Sequence, residues 1–275
     1  MKTKFNLVGT TFTHLTGGNK GYSVHGKESK YIEWIQNDSS LDSFYIDEYI
    51  NQIFNGKKSD GKNYAWLLES KYIKPKVYDM VIDAAEDYIS VYDAIFTHNQ
   101  ELLELNEKLN TDKFKWCPAQ GFWIKEPKVY EKTKMISMIS SNKSMTSGQR
   151  TRLNWVEMIG DQIDLYGRGF NEIELKEEGL CDYMFSVVVE NGFYNTYFTE
   201  KLLDCFATGT IPVYLGSPDI AEYFNPDGII NLSEEFEVSE ELYYSKMDAI
   251  NENLERAKQY EILEDFIYLN YLKEE

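Results

Sequence analysis

A chain of 275 residues with 43% hydrophobic side chains can bury one large core or two of ordinary size. Its formal net charge of −18 argues against nucleic acid as a partner, which would need a basic stripe, and against an anionic membrane surface held by polybasic segments. Cys117, Cys181 and Cys205 lie far apart with no Cys-x-x-Cys spacing, which points to reduced thiols rather than a zinc site or a disulfide framework.

In chain order, Phe5–Thr13 reads as an opening strand with His14 near its end, followed by a glycine-rich loop from Gly17 to Gly21. Leu41–Phe54 spaces Phe44, Tyr45, Tyr49, Ile50 and Ile53 as one face of a helix. Tyr64–Leu68 is a short strand, and Glu69 follows it directly. Val77–Tyr88 repeats the helical spacing, Asp93–Phe96 is a second buried strand with His98 just beyond it, and Gln100–Leu109 is a further helix. Alternating strands and helices predict a parallel α/β sheet. Trp116–Pro127, with prolines near both ends, breaks the alternation and marks a hinge. A second alternating set runs from Lys134 to Leu232, and Glu240–Leu272 reads as helices with Met247, Ile250, Leu254 and Ala257 on one face. The first residues lack the apolar core of a signal peptide and no run reaches membrane-spanning length, so a cytoplasmic protein without integral membrane association is expected.

The most informative stretch begins at Asp182. Tyr183–Val189 is an almost unbroken apolar run, the pattern of a strand buried on both faces of a parallel sheet. Glu190 and Asn191 stand where it ends, and open parallel sheets bind ligands at the carboxyl ends of their strands. Thr199 is a good N-cap for a helix that Gly209 can stop. Glu200 suits the first turn of that helix, but Lys201 opposes the helix dipole at a cost of roughly a few tenths of a kcal/mol. Lysine beside free first-turn N–H groups makes a compact trap for a diphosphate; the alternative is a surface lysine paired with a carboxylate.

Glu190-Asn191, then Tyr197-x-Thr199-Glu200-Lys201, Thr210-Ile-Pro-Val-Tyr-x-Gly216-Ser-Pro and Phe224-Asn-Pro226 resemble the donor-binding signature of the α-1,3/4-fucosyltransferases. Ser141-Asn142, Arg150 and Asp164-Leu-Tyr-Gly167 resemble a second block of that family at matching Arg-to-Asp spacing. The likeness is strong over 138–232 and weaker over 64–116. One departure is Gly192, where the family usually has serine after Glu-Asn.

The resemblance implies the glycosyltransferase-B architecture, two Rossmann-like α/β domains facing across a cleft. Residues 1–127 are then expected to form the acceptor domain, 128–240 the donor domain, and 241–275 helices that can cross back to the first. It implies an inverting transfer of fucose from GDP-fucose to a hydroxyl of a glycan or oligosaccharide acceptor. Arg150 and Lys201 would hold the diphosphate, Glu190 would stand at the donor site, and Asn191, Tyr197 and Glu200 would meet the sugar or ribose. The family's general base is a glutamate at a strand end comparable to Glu69; His98 and His14 are rivals, because imidazole titrates near neutrality. Another GDP- or UDP-sugar donor, or an inert glycan-binding relic, are the alternatives. No Asp-x-Asp motif occurs in the chain, so metal-independent stabilisation of the leaving diphosphate and no cofactor beyond the nucleotide-sugar co-substrate are expected. Neither the P-loop pattern nor Gly-x-Gly-x-x-Gly occurs, which argues against a P-loop nucleotidase and a dinucleotide dehydrogenase.

Overall fold

The computed structural model describes residues 2–9, 21, 27–232 and 235–273. His14 and most of the glycine-rich loop lie outside the described residues. The chain divides into two compact units: Met1–Gln120 with Ile262–Glu275, and Gly121–Glu261. No helix among the described residues is long and apolar enough to cross a membrane.

The first unit is a six-stranded, wholly parallel sheet. Its strands are β1 (Thr3–Val8), β2 (Ile32–Ile35), β3 (Ser43–Ile46), β4 (Asn63–Leu67), β5 (Ala94–Thr97) and β6 (Phe114–Trp116), in the order β2-β1-β3-β4-β5-β6. The period of two sorts the side chains by face. Phe44, Tyr64 and Phe96 share one face as an aromatic cluster, with Phe44 centred 4.9 Å from Tyr64 and 5.8 Å from Phe96. Tyr45, Ala65 and Ile95 take the other face and pack with Tyr78, Val81 and Tyr88 of helices α1 (Pro75–Asp83) and α2 (Ala85–Val91).

Three helical expectations change here. Leu41–Phe54 is strand β3 followed by a 3₁₀ turn over Asp47–Ile53. β3 is sandwiched between β1 and β4 with all four residues buried, so its apolar residues serve two faces instead of one stripe. The expected helix over 77–88 breaks at Ala84, and that over 100–109 divides into α3 (Gln100–Leu103) and α4 (Leu105–Lys108).

The second unit has the strands β7 (Lys134–Ile139), β8 (Asp164–Tyr166), β9 (Tyr183–Val189), β10 (Ile211–Leu215) and β11 (Ile230–Asn231), again all parallel, in the order β11-β10-β9-β7-β8. α5 (Ser147–Ile159) follows β7, and α6 (Glu200–Thr208) joins β9 to β10. α6 stops where expected, with Gly209 in the left-handed region at φ 70°. Met138, Phe185, Val187, Ile211 and Val213 form one core on this sheet, closed by Tyr243 of α7 (Glu240–Ser245) and Ile250 of α8 (Met247–Lys258).

The unit boundary precedes the expected break at 127. Trp123 N–H donates to Asp204 Oδ1 at 2.5 Å and Lys125 N–H to Glu177 Oε1 at 2.8 Å, which ties 121–127 to the second unit. α7 and α8 stay there too, beyond the expected limit at 240, because Tyr243 and Ile250 complete its core. Only the last segment, with α9 (Leu263–Ile267), joins the first unit. There Trp34 Nε1 donates to Glu264 Oε1 at 3.2 Å, Tyr268 stacks on Tyr31, and Tyr271 donates to the Trp116 carbonyl at 2.6 Å.

Candidate active site

In each unit the strand order reverses beside its first strand: between β1 and β3 in the first, between β7 and β9 in the second. Such reversal points open a crevice at the carboxyl ends of the strands, where α/β sheets take ligands.

At the β7/β9 point two helix N-termini converge on the end of β9. Thr146 caps α5 through a reciprocal box: its side chain accepts from Gln149 N–H at 3.1 Å, and Gln149 Oε1 accepts from Thr146 N–H at 3.2 Å. Gly148 lies in the first turn, pressed against Glu190 and Asn191. A Cβ there would stand 2.1 Å from the Glu190 carbonyl oxygen and 2.6 Å from Asn191 backbone, so only glycine lets the helix come this close. From β9's other flank, Thr199 caps α6.

Glu190 joins the strand end to that cap. It is fully buried, with Oε1 accepting from Thr199 N–H at 2.9 Å and Oε2 from the Thr199 hydroxyl at 2.7 Å. Burial raises its pKa, opposed by Lys201, whose Nζ lies 3.6 Å away, and by the Thr199 bonds. Both oxygens thus accept bonds from Thr199, and Glu190 anchors the first turn of α6. Asn191 is held by Arg152. Arg152 donates through Nε and Nη2 to the Val189 carbonyl, at 3.0 and 2.6 Å, and through Nη2 to Asn191 Oδ1 at 3.0 Å.

Lys201 Nζ donates to Thr199 Oγ1 and to Glu200 Oε1, each at 3.0 Å. Glu200 is 7% exposed, and its other oxygen, Oε2, is buried with no hydrogen-bond partner. Burial alone would keep Glu200 protonated, but Lys201 and Lys176 outweigh it and hold its pKa at about 2. A buried carboxylate oxygen without a donor invites one from a ligand hydroxyl.

The remaining expected residues lie around this centre in different ways. Arg150 is on the first turn of α5 but exposed, bonding the carbonyls of Ser144 and Met145 at 3.1 and 3.2 Å. Tyr197 is 2% exposed and stacks on Tyr194 with centroids 4.7 Å apart. Its neighbour Thr196 has φ 70°, which strains a β-branched residue, and its N–H is gripped by both carboxylate oxygens of Asp219 at 3.0 Å.

Within the first unit, Glu69 is half-buried just after β4. The backbone there is fixed by Asp47 at the β1/β3 reversal point. Asp47 Oδ1 accepts from Leu68 N–H at 2.8 Å and Glu69 N–H at 3.3 Å, and Oδ2 meets Lys74 Nζ at 3.3 Å. The Glu69 carbonyl accepts from Tyr78 OH at 2.5 Å. His98 lies beneath, fully buried, with Nε2 3.3 Å from the Tyr78 hydroxyl. Burial lowers its pKa to about 4, so it is a neutral core imidazole and not an accessible base.

Arg152, Lys176, Gly148, Asp219 and Asp47 escaped the sequence reading. Arg152 carried a signal: it precedes Trp155, Val156 and Ile159 at i+3, i+4 and i+7, on the stripe that packs against the core, while Arg150 points elsewhere.

Comparison with known proteins bears on the fold and on the second unit. The two parallel-sheet α/β units are those of the glycosyltransferase-B fold. A crystal structure of an α1,3-fucosyltransferase matches over 93% of this chain and 81% of its own, with a TM-score of 0.50 at 15% identity. Residues 129–264 match the model of the glycosyltransferase family 10 (fucosyltransferase) C-terminal domain. The α-(1,3)-fucosyltransferase FucT of Helicobacter pylori is 37% identical over 78 residues, 28% of this chain and 16% of that protein. Residues 129–264, just under half of the chain, are thus similar to glycosyltransferase family 10.

Proposed function

We propose that this protein is an inverting glycosyltransferase that moves fucose from GDP-fucose to a hydroxyl of a glycan acceptor without a metal ion. The observation that carries the reading is the β7/β9 reversal point inside the region similar to family 10. There the capped N-termini of α5 and α6 meet at the end of β9, and Lys201 lies against Glu200, a buried carboxylate with one unpartnered oxygen, while Arg150 stands exposed on the first turn of α5. Lys201, Arg150 and the first-turn N–H groups of α6 take the diphosphate, the standard use of a helix N-terminus. Glu200 Oε2 accepts a hydroxyl of the sugar or ribose, with Asn191 beside it and Tyr197 shaping the wall.

The reaction is one displacement. An acceptor oxygen attacks the anomeric carbon, the bond from that carbon to the diphosphate oxygen breaks, and GDP leaves with the electron pair. Glu69 takes the acceptor proton, and attack from the face opposite the leaving group inverts the configuration. Charge growing on the leaving oxygens is met by cations and N–H dipoles already in place, which is electrostatic stabilisation. The absence of Asp-x-Asp from the sequence and the cation set at α6 support metal independence. The Helicobacter relative supports fucose as the sugar.

A thermal-shift panel of nucleotides with and without EDTA tests this. GDP at 100 times its Kd is expected to stabilise the protein by about 2.7 kcal/mol, unchanged by chelation. Stabilisation by UDP alone would change the donor, a loss on chelation would refute metal independence, and a response to glycans but to no nucleotide would make the protein a lectin-like relic.

A further inference from the structure

Lys201 is asked to do two things. In the structure it neutralises Glu200, with Nζ 3.0 Å from Oε1 and 3.6 Å from Glu190 Oε2. In the reading above it turns to a diphosphate. When it does, two buried carboxylates lose their nearest cation, and a buried carboxylate deprived of its partner is costly.

The fold supplies a second cation. Asp204 lies one turn along α6 from Glu200, on the same helix face. Lys176 reaches α6 from the segment before β9. Its Nζ is 3.0 Å from Asp204 Oδ2 and 4.9 Å from the centroid of the Trp123 ring, while Asp204 Oδ1 is taken by Trp123 N–H. Asp204 is thereby neutralised and hydrogen-bonded on both oxygens, and Lys176 is clamped between an aromatic face and a carboxylate. Lys176 and Lys201 line the same chamber of about 20 Å³, together with Arg152, Asp204 and Cys205. That is room for about one water molecule. Arg152 is committed to Val189 and Asn191, so it cannot take the duty.

We propose that Lys176 is a positioning residue that carries the counter-charge of Glu200 while Lys201 is engaged with the leaving diphosphate. This rests on the nucleotide-sugar reading for its purpose, but the arrangement of charges stands without it. The charged groups facing Glu200 are Lys201, Lys176, Glu190 and Asp204, with Arg152 behind Asn191. Burial acts against the charged form of each group, while Lys176, after Lys201, favours the ionised form of Glu200, and Glu200, after Asp204, raises the pKa of Lys176.

The test removes Lys201 as a substrate would. Carboxyl ¹³C resonances of glutamate are titrated in Lys201→Met and in Lys201→Met/Lys176→Met. Glu200 is expected to stay strongly acidic in the first and to move up by about one pH unit or more in the second, the usual effect of one neighbouring charge. Lys176→Arg in place of Lys176→Met is expected to restore it. Because Asp204 left alone could unsettle α6, the same pair is compared in an Asp204→Asn background, where Lys176 has no other carboxylate to serve. A Glu200 midpoint indifferent to Lys176 in both backgrounds overturns the proposal. With Lys201 present, Lys176→Met is expected to weaken GDP binding about tenfold at pH 8, and Lys176→Arg to restore it. A wild type that binds no nucleoside diphosphate would sink the transferase reading instead, and the titration, read without nucleotide, would still decide the role of Lys176.

Discussion

Glu190 and Glu69 follow buried parallel strands at the carboxyl edges of two sheets whose first five strands share one order, and the protein uses them in opposite ways. At Glu190 the side chain is consumed. It is fully buried, and both oxygens are bonded to Thr199, so it fixes the first turn of α6 and through it Glu200 and Lys201. At Glu69 the backbone is held instead: Asp47 grips its N–H and Tyr78 its carbonyl, and the residue is half-buried. A carboxylate becomes an anchor when a capping threonine follows on the same loop. It becomes a candidate for chemistry when another residue does the anchoring. Asp47, buried at φ 47° on the neighbouring strand end, is that other residue in the first unit.

The largest effect that can break this comparison is at Glu69. If it is the base, Glu69→Gln lowers transfer by roughly 10²–10⁴-fold, the usual range for general base catalysis, while GDP affinity stays the same. Single-turnover kinetics beside calorimetry separates the two. Near wild-type turnover would return Glu69 to the role of a solvated strand-end carboxylate and direct the search to His14 and the segment around it.

Next in size is Lys201→Ala, expected to lower kcat by about 10²–10³-fold, like the loss of one oxyanion donor. Unaltered kcat in a folded variant would leave Lys201 as the internal partner of Glu190 and Glu200, making the second strand end an anchor throughout.

Most of the second unit was legible in the sequence. The apolar run of β9, the Thr199 cap and the Gly209 stop are local rules obeyed locally, and Glu200 and Lys201 follow from them. The first unit was harder to read because its elements are short and buried on two sides. Ser43–Ile46 is a strand only by virtue of its neighbours β1 and β4, and no periodicity of its own announces that. Of the site, what stayed hidden was the supporting layer. Lys176 sits among Glu172, Glu174, Glu177 and Glu178, where a lysine reads as one more solvated charge. Gly148 is unremarkable until a backbone from elsewhere lies against it.

Gly148 gives the third test, because it asks whether the anchored strand end tolerates displacement. Gly148→Ala puts a methyl 2.1 Å from the Glu190 carbonyl oxygen, too close to relax by side-chain motion. Overpacking of this kind costs about 1–3 kcal/mol, and a shift of roughly 1 Å at a reacting centre costs about 10²-fold in rate. The variant is expected to lose GDP affinity and turnover together, whereas Glu69→Gln loses turnover alone. Calorimetry showing wild-type GDP affinity in a folded Gly148→Ala would mean that the α5 approach does not shape the donor site.

The smallest effect separates the units by pH. His98 sits under the Glu69 strand end with its pKa lowered to about 4 by burial, so the folded first unit refuses a proton that the unfolded chain accepts below about 6.5. Its contribution to stability is complete above pH 6.5 and is lost as the pH falls toward 4. Asp204 in the second unit has the opposite sign. Burial lifts its pKa to about 6 despite Lys176, so the unfolded chain releases a proton that the folded state keeps, and stability is lost as the pH rises from about 4 to 6. Denaturant unfolding of wild type and His98→Gln from pH 7 to 4.5 isolates the first term. The wild type is expected to lose about 2–3 kcal/mol relative to the variant over that range. Asp204→Asn is expected to bend the curve the other way, with a smaller amplitude because Lys176 loses its partner as well. Parallel curves for wild type and His98→Gln would mean that His98 is hydrated enough to titrate normally, and would restore it as a rival to Glu69.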